Sequence, residues 1–178
     1  IPPKSFLGEH PFKKRENRIE AAKLLNQIMR TNTEFKIIAV GGTALGFSRD
    51  LDFIEWDFDI DLFASKDHSK DIFNFLDKLK YSPFLENESI KGEIKLSSED
   101  VVPFAIDFFD PHQDIYIDKY EDHTWEWPIE MFLDYSEINI HGHSMNVPNP
   151  VEVYLEGIYG KSWNVPNPKF GYNDYGKS

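Results

Sequence analysis

Residues 57–62, Asp-Phe-Asp-Ile-Asp-Leu, alternate acid and apolar side chains without a break. A period of two is the period of a β-strand, whose successive side chains leave on opposite sides. The segment 58–63 therefore reads as a strand. Phe58, Ile60 and Leu62 point to the core. Asp57, Asp59 and Asp61 share the other face, with Cα atoms roughly 6–7 Å apart per step. Carboxylates so close repel unless a cation sits among them. Hard divalent ions such as Mg2+ favour a few carboxylates plus phosphate oxygens. A solvated strand face or a structural calcium loop would give the same acidic alternation. An EF-hand is disfavoured, because its central glycine and terminal Glu are missing at the required spacing.

Two further features bear on the choice. Gly41-Gly42 directly follows the apolar run Phe35–Val40, which reads as a short buried strand. Glycine there lets backbone N–H groups approach a phosphate closely. A helix beginning at Thr43-Ala-Leu-Gly-Phe-Ser, with Thr43 as its cap, adds a positive dipole end. A plain tight turn is the alternative. The second feature is Asp107, flanked by Ala105, Ile106, Phe108 and Phe109. An acid in such company is costly to bury unless paired or metal-bound; a salt-bridged or edge-strand acid is the alternative. Glycine turn, Asp-x-Asp strand and a third acid on a later strand together form the layout of a metal-assisted phosphoryl or nucleotidyl transferase.

Periodicity organises the remainder. Ile19, Ala22, Leu25, Ile28 and Met29 predict an amphipathic helix over 16–30, and Ile72, Phe73, Phe75, Leu76 and Leu79 a second over 66–80. Strands are expected at 93–97 and 103–109. Ile138, Ile140, Met145 and Val147 suggest a hairpin turning at His141-Gly142-His143, with both histidines in a surface turn. A last helix is punctuated by Asn149 as cap, Pro150 in its first turn, Glu152 near the capping-box position and Gly160 at its end. The stretch 110–127, with His112, Tyr116, His123, Trp125 and Trp127, reads as a solvated connection with buried aromatics or as an acceptor-binding loop. Residues 1–14 read as an extended arm and 161–178 as an irregular tail. Strands alternating with helices in 178 residues give one α/β (α+β) domain around a mixed sheet.

Composition removes several classes. A formal net charge of −12 repels phosphate backbones, so nucleic acid is not an expected partner. An anionic substrate then needs a metal ion or local Arg and Lys. The absence of cysteine removes disulfides, thiolate metal sites and thiol nucleophiles. The apolar runs are too short to span a bilayer, and the first fifteen residues lack the apolar core of a signal peptide. The expected compartment is the cytoplasm.

The stretch GGTALGFSRDLDFIEWDFDIDLF resembles the signature of the LicD family, which includes the fukutin-type enzymes. Gly41, Gly42, Thr43, Leu45, Gly46, Arg49, Ile54, Trp56, Asp57, Asp59, Ile60 and Asp61 fall on family-typical positions. Glu55 stands where the family often has proline. The segment VPNPVEVYLEGIYGKSW is similar to the family's closing segment through Val147, Pro148, Tyr154, Leu155, Tyr159 and Gly160, so the resemblance runs roughly from 15 to 165. It implies a nucleotidyltransferase-like fold. It also implies transfer of phosphocholine or a polyol phosphate from a CDP-linked donor to a hydroxyl of a glycan or glycolipid. By position, Asp59, Asp61 and Asp107 would be the catalytic, metal-binding carboxylates for Mg2+ or Mn2+. Gly41, Gly42 and Thr43 would meet donor phosphate, with Arg49 as a phosphate fork, or else a salt-bridge partner of a nearby acid. Asp57 would support the site. Trp56 would pack the turn or lie against a base or choline group. Nucleotidyl transfer to protein, RNA or a small molecule, and a binding module without turnover, are the competing functions.

Overall fold

The acid strand lies inside a five-stranded mixed sheet. The computed structural model describes residues 10–170, 174 and 175. Strand β1 (Ile38–Ala39) pairs antiparallel with β2 (Ile60–Ser65), and β2 pairs parallel with β5 (Val101–Phe109). Beyond β5 lie β4 (Ser89–Lys95) and β3 (Phe84–Glu86), both antiparallel to their neighbours. The parallel pair is made possible by a long crossover that carries α3 (Ser69–Lys78) and the β3–β4 hairpin.

Register divides the sheet into two unlike faces. Ile60, Leu62 and Ala64 align with Phe104, Ile106 and Phe108, and Ile90 and Ile94 continue the apolar surface. Nearly all are fully buried. The α3 residues Ile72 and Leu76, and Ala21, Ala22, Leu25, Ile28 and Met29 of α1 (Arg15–Thr31), belong to the same core. On the opposite face Asp61 aligns with Ala105, Phe63 with Asp107, and Lys91 with Ala105. That face carries the polar chemistry.

Several boundaries differ from expectation. Only Ile38–Ala39 of the run 35–40 is strand, because Thr33–Phe35 forms a 3-10 turn and Lys36 takes left-handed backbone angles. The acid strand begins at Ile60, since residues 57–59 have no neighbouring strand to pair with. Residues 66–68 form a 3-10 turn ahead of α3. The stretch read as a connection is a hairpin of β6 (Ile115–Tyr120) and β7 (His123–Pro128). Its alternation was masked by isoleucines that face outward, while Tyr116 and Trp127 face in. A short helix α4 (Glu130–Leu133) then leads into the expected hairpin, β8 (Ser136–Ile140) and β9 (His143–Val147).

The last helix, α5 (Val151–Tyr159), ends at Gly160, whose φ of +83° suits a residue without a side chain. Pro150, not Asn149, is its cap residue, and the Asn149 side-chain amide instead donates to the carbonyl of Asp134 at 2.9 Å. Residues 1–9 of the expected arm lie outside the described residues. Pro11–Lys13 is not extended but a 3-10 turn, which buries Phe12 in a stack on Phe53, centroids 4.5 Å apart. Residues 161–170 are irregular, as expected. Residues 171–173 and 176–178 lie outside the described residues. Among those described, no helix is long and apolar enough to cross a membrane.

Candidate active site

Gly42 and the acids Asp57, Asp59, Asp61 and Asp107 together line a cleft of about 1510 Å3. Helix α2 (Gly41–Arg49) begins where β1 ends. Gly41 has φ +53°, which a side chain would strain. A Cβ on Gly41 would lie 3.1 Å from Oδ2 of Asp61, and one on Gly42 only 2.9 Å from Oδ2 of Asp57. The missing side chains are therefore what lets two carboxylates rest against the helix N-terminus. Tyr154 fixes the turn from behind, its phenol oxygen accepting the Gly41 N–H at 2.9 Å.

Thr43 does not cap this helix; extended Val40 is the cap residue. The Thr43 hydroxyl, which is buried, instead accepts the backbone N–H of Asp61 at 2.9 Å. Val40 N–H donates to the Asp61 carbonyl at 3.0 Å. The turn and the acid strand are thus laced together on both sides. Of the three residues expected to meet phosphate, Gly42 lines the cleft.

The acids form one electrostatic unit. Desolvation, then the Asp59 charge, pushes the Asp57 carboxyl up to about 7. Burial raises Asp59, opposed by a hydrogen bond shared with Asp57 and by the Lys91 charge. Asp61 is pushed well above the carboxylate range by burial and by the charges of Asp59, Asp57 and Asp107. Lys91, across the sheet on β4, opposes that charge, and reading the sequence did not single it out. Asp107 is not embedded. The strand alternation turns it to the exposed face, where the Ser89 hydroxyl bonds to it and where it lines the cleft.

An all-oxygen set this desolvated and mutually repelling suits a hard divalent cation. Among the described residues no three His, Cys, Asp or Glu side chains are already gathered into a metal cage. The acids are instead held by a shared hydrogen bond and by Lys91.

Arg49 and Trp56 also line the cleft. The guanidinium pairs with Asp50 in a fork, at 2.7 and 2.8 Å, and its Cζ lies 5.7 Å from the centre of the Trp56 ring. The loop before the acids is fastened by Arg18 of α1, 8% exposed, whose Nε bonds Asp52 at 2.9 Å. His141 bonds the other oxygen of Asp52 at 2.9 Å. It is therefore not a free turn residue: the β8–β9 turn reaches back and grips the active-site loop. His143 begins β9, half-buried. His112 is exposed and bonded to Asp67, and His123 stacks on Trp125. Arg18 was legible only as a charge beside an apolar stripe.

A mixed sheet, a glycine turn opening a helix, and acids on the adjoining strand define a nucleotidyltransferase-like transferase domain. The sequence profile of the LicD/FKTN/FKRP nucleotidyltransferase domain matches residues 35–150, and the chain belongs to that family. The match takes in the glycine turn, all four acids and both later hairpins, and stops before α5. The closing segment from Val151 onward thus lies outside it. The fold is also similar to the crystal structure of lincosamide antibiotic adenylyltransferase LnuA with lincomycin bound. That similarity has a TM-score of 0.46 at 13% identity, covering 72% of this chain and 79% of that one. No curated protein matched the sequence.

Proposed function

We propose that the protein is a metal-dependent transferase that moves a substituted phosphate, phosphocholine-like or polyol phosphate, from a CDP-linked donor to a glycan hydroxyl. The observation that carries the reading is the seating of Asp57 and Asp61 against Gly42 and Gly41. It supports the reading by setting two carboxylates, one of them the assigned ligand Asp61, beside a helix N-terminus suited to phosphate. Asp59 and Asp61 would hold Mg2+ or Mn2+, with Asp107 as the third carboxylate. When bound, the ion neutralises charge on the donor diphosphate and on the departing nucleoside monophosphate.

The chain's own groups supply the rest. Gly42 leaves room for the Asp57 carboxylate and opens the positive end of α2 to the cleft, from which a phosphate would approach. Lys91 offsets part of the negative field through which an anionic donor must approach. Asp107, on the exposed face, accepts a hydrogen bond from the incoming hydroxyl and orients it. Arg49 meets phosphate by exchanging its fork from Asp50, or braces Trp56 where it stands. The cytoplasm is the compartment we assign.

Calorimetry with Mn2+ and CDP-choline, followed by assay of nucleotide release, tests the reading. Free CMP released from the CDP-linked donor supports it. Pyrophosphate released from a nucleoside triphosphate points to nucleotidyl transfer instead. Absence of metal-dependent nucleotide binding at millimolar concentration points to a module without turnover.

A further inference from the structure

A second, smaller pit of about 60 Å3 enters the protein beside the acid cluster. Asp107 lines both this pit and the main cleft, and so forms their common wall. Phe63, Phe132 and Tyr154 give it aromatic sides, and the β6–β7 hairpin contributes Tyr116, Asp118 and Trp127. Tyr116 and Asp118 stand two apart on β6 and share its inward face; Tyr116 is paired across the hairpin with Trp127.

Trp127 is the informative residue. It is 6% exposed, and its indole N–H is buried without a hydrogen-bond partner. The benzo edge of the ring is seated on Gly157, where an added Cβ would lie 2.4 Å from Cη2. The ring is thereby held in place. Its N–H faces Asp118, whose carboxyl is pushed up by burial and by the Asp107 charge and is only partly brought back by the indole; no hydrogen bond of ordinary geometry closes between them. A buried donor without a partner is costly, and a ligand or an ordered water is the usual explanation for one in a native fold.

We propose that this pit is the acceptor subsite, taking one hydroxyl-bearing arm of a neutral polyhydroxylated acceptor. The indole N–H of Trp127 donates to an oxygen of that arm, and Asp118 accepts a hydroxyl proton from it. The proposal rests on the reading that the adjoining cleft is the transfer site. Three properties select the ligand. At about 15 Å3 for a water-sized group, the pit holds roughly four such groups, a vicinal diol or hydroxymethyl arm and not a sugar ring. Asp107 and Asp118 repel an anion. An ammonium would suit the acids but has no lone pair for the indole N–H, whereas a hydroxyl both donates and accepts. A polyhydroxylated chain seated here presents its next hydroxyl at the Asp107 rim.

The test follows the indole N–H signals of the 15N-labelled protein during titration with glycerol, without metal or donor. The chain has four tryptophans, and Trp127→Phe assigns the signal of interest. Glycerol and ethylene glycol should shift the Trp127 signal saturably. Protonated ethylenediamine and acetate should leave it in place. Asp118→Asn should weaken glycerol binding about five-fold, the difference between a charge-assisted and a neutral hydrogen bond. A Trp127 signal that ignores the diols, follows the diammonium equally, or responds identically in Asp118→Asn overturns the proposal. The diol and diammonium comparison needs only the wild-type chain, so it decides even where the variant unfolds. Mn2+ binding on the same samples separates the two readings. Mn2+ binding without a diol response removes the pit alone. A diol response without Mn2+ binding removes the transfer reading and leaves the pit as a polyol site.

Discussion

The phenol oxygen of Tyr154 accepts the backbone N–H of Gly41 at 2.9 Å, joining α5 to the first residue of the glycine turn. Tyr154 is 4% exposed, so the bond lies away from bulk solvent. Tyr154→Phe should leave the Gly41 N–H unpaired at a cost of about 1–3 kcal/mol. At about 2–4 °C per kcal/mol, the melting temperature should fall by several degrees. Metal affinity should fall with it, because the turn that seats Asp61 is loosened. Thermal denaturation with and without Mn2+ measures both, and unchanged values would show that the bond contributes nothing.

Gly42→Ala should separate stability from function. Its Cβ would meet Oδ2 of Asp57 at 2.9 Å, the far end of a side chain that can swing away. The fold should therefore lose little, within about 1 kcal/mol. The carboxylate arrangement should not survive, and turnover should drop by at least about ten-fold, equivalent to roughly 1.4 kcal/mol at the transition state. Steady-state CMP release beside a melting curve is the measurement. Full turnover in this variant would mean that the position of Asp57 is immaterial.

The strength of this packing of charge should show in the pH dependence of stability. Burial and mutual repulsion raise Asp57 to about 7 and lift Asp61 well above the carboxylate range. The folded protein then binds more protons than the unfolded chain from about pH 4 to 7 and above. Stability from these groups is complete below the unfolded value and is lost as pH rises through the folded one. In EDTA the melting temperature should fall between about pH 5 and 8. Mn2+ should reverse that fall, with a larger stabilisation at pH 8 than at pH 5. Equal stabilisation at both values would count against metal binding by these acids.

Asp59→Asn and Asp61→Asn carry the complementary expectation. Each removes one of several repelling charges, so in EDTA at pH 8 each variant should melt higher than the parent, by about 2–4 °C per kcal/mol recovered. Each should also lose metal-dependent nucleotide binding and CMP release. Either variant retaining full turnover would refute the assignment of these acids to the metal.

Much of this site was legible because its signals are local. An alternating acid run and a Gly-Gly pair after an apolar strand require only the periodicity of one segment; Asp61 stands on the strand as read, whereas Asp57 and Asp59 precede it and the two glycines open the helix itself. The mixed sheet and both long helices followed from the same periodicity, α1 close to its expected bounds and α3 as Ser69–Lys78 within the expected 66–80. What stayed hidden depends on partners far along the chain. Thr43 resembled a cap because its hydroxyl's true donor, the Asp61 N–H, lies eighteen residues away. Asp107 resembled a buried acid, since no sequence shows which face of β5 is covered. The β6–β7 hairpin was obscured by outward-facing Ile115 and Ile117, whose exposure reverses the usual pattern. Arg18, Lys91 and Asp118 gave no motif; each matters only through what the fold brings beside it.

Arg18 offers the clearest case of such long-range support. Its guanidinium bonds the Asp52 carboxylate at 2.9 Å and the Phe12 carbonyl at 2.6 Å, and it stands 3.8 Å from Glu55. His141 bonds Asp52 from the other side. Arg18→Met would keep much of the side chain's volume but leave Asp52 and the Phe12 carbonyl short of a donor. Breaking one side of a buried pair costs about 3–5 kcal/mol; with Asp52 still held by His141, the lower end of that range is expected. The second expectation is specific to the loop. Residues 52–57 should become more accessible to limited proteolysis while the sheet core stays protected, and donor affinity should fall more than metal affinity, because Trp56 belongs to the loop and Asp59 and Asp61 lie beyond it. Hydrogen exchange would resolve the two. Uniform loss of protection across β2 and β5 would show that Arg18 supports the whole fold, not the loop that leads into the acids.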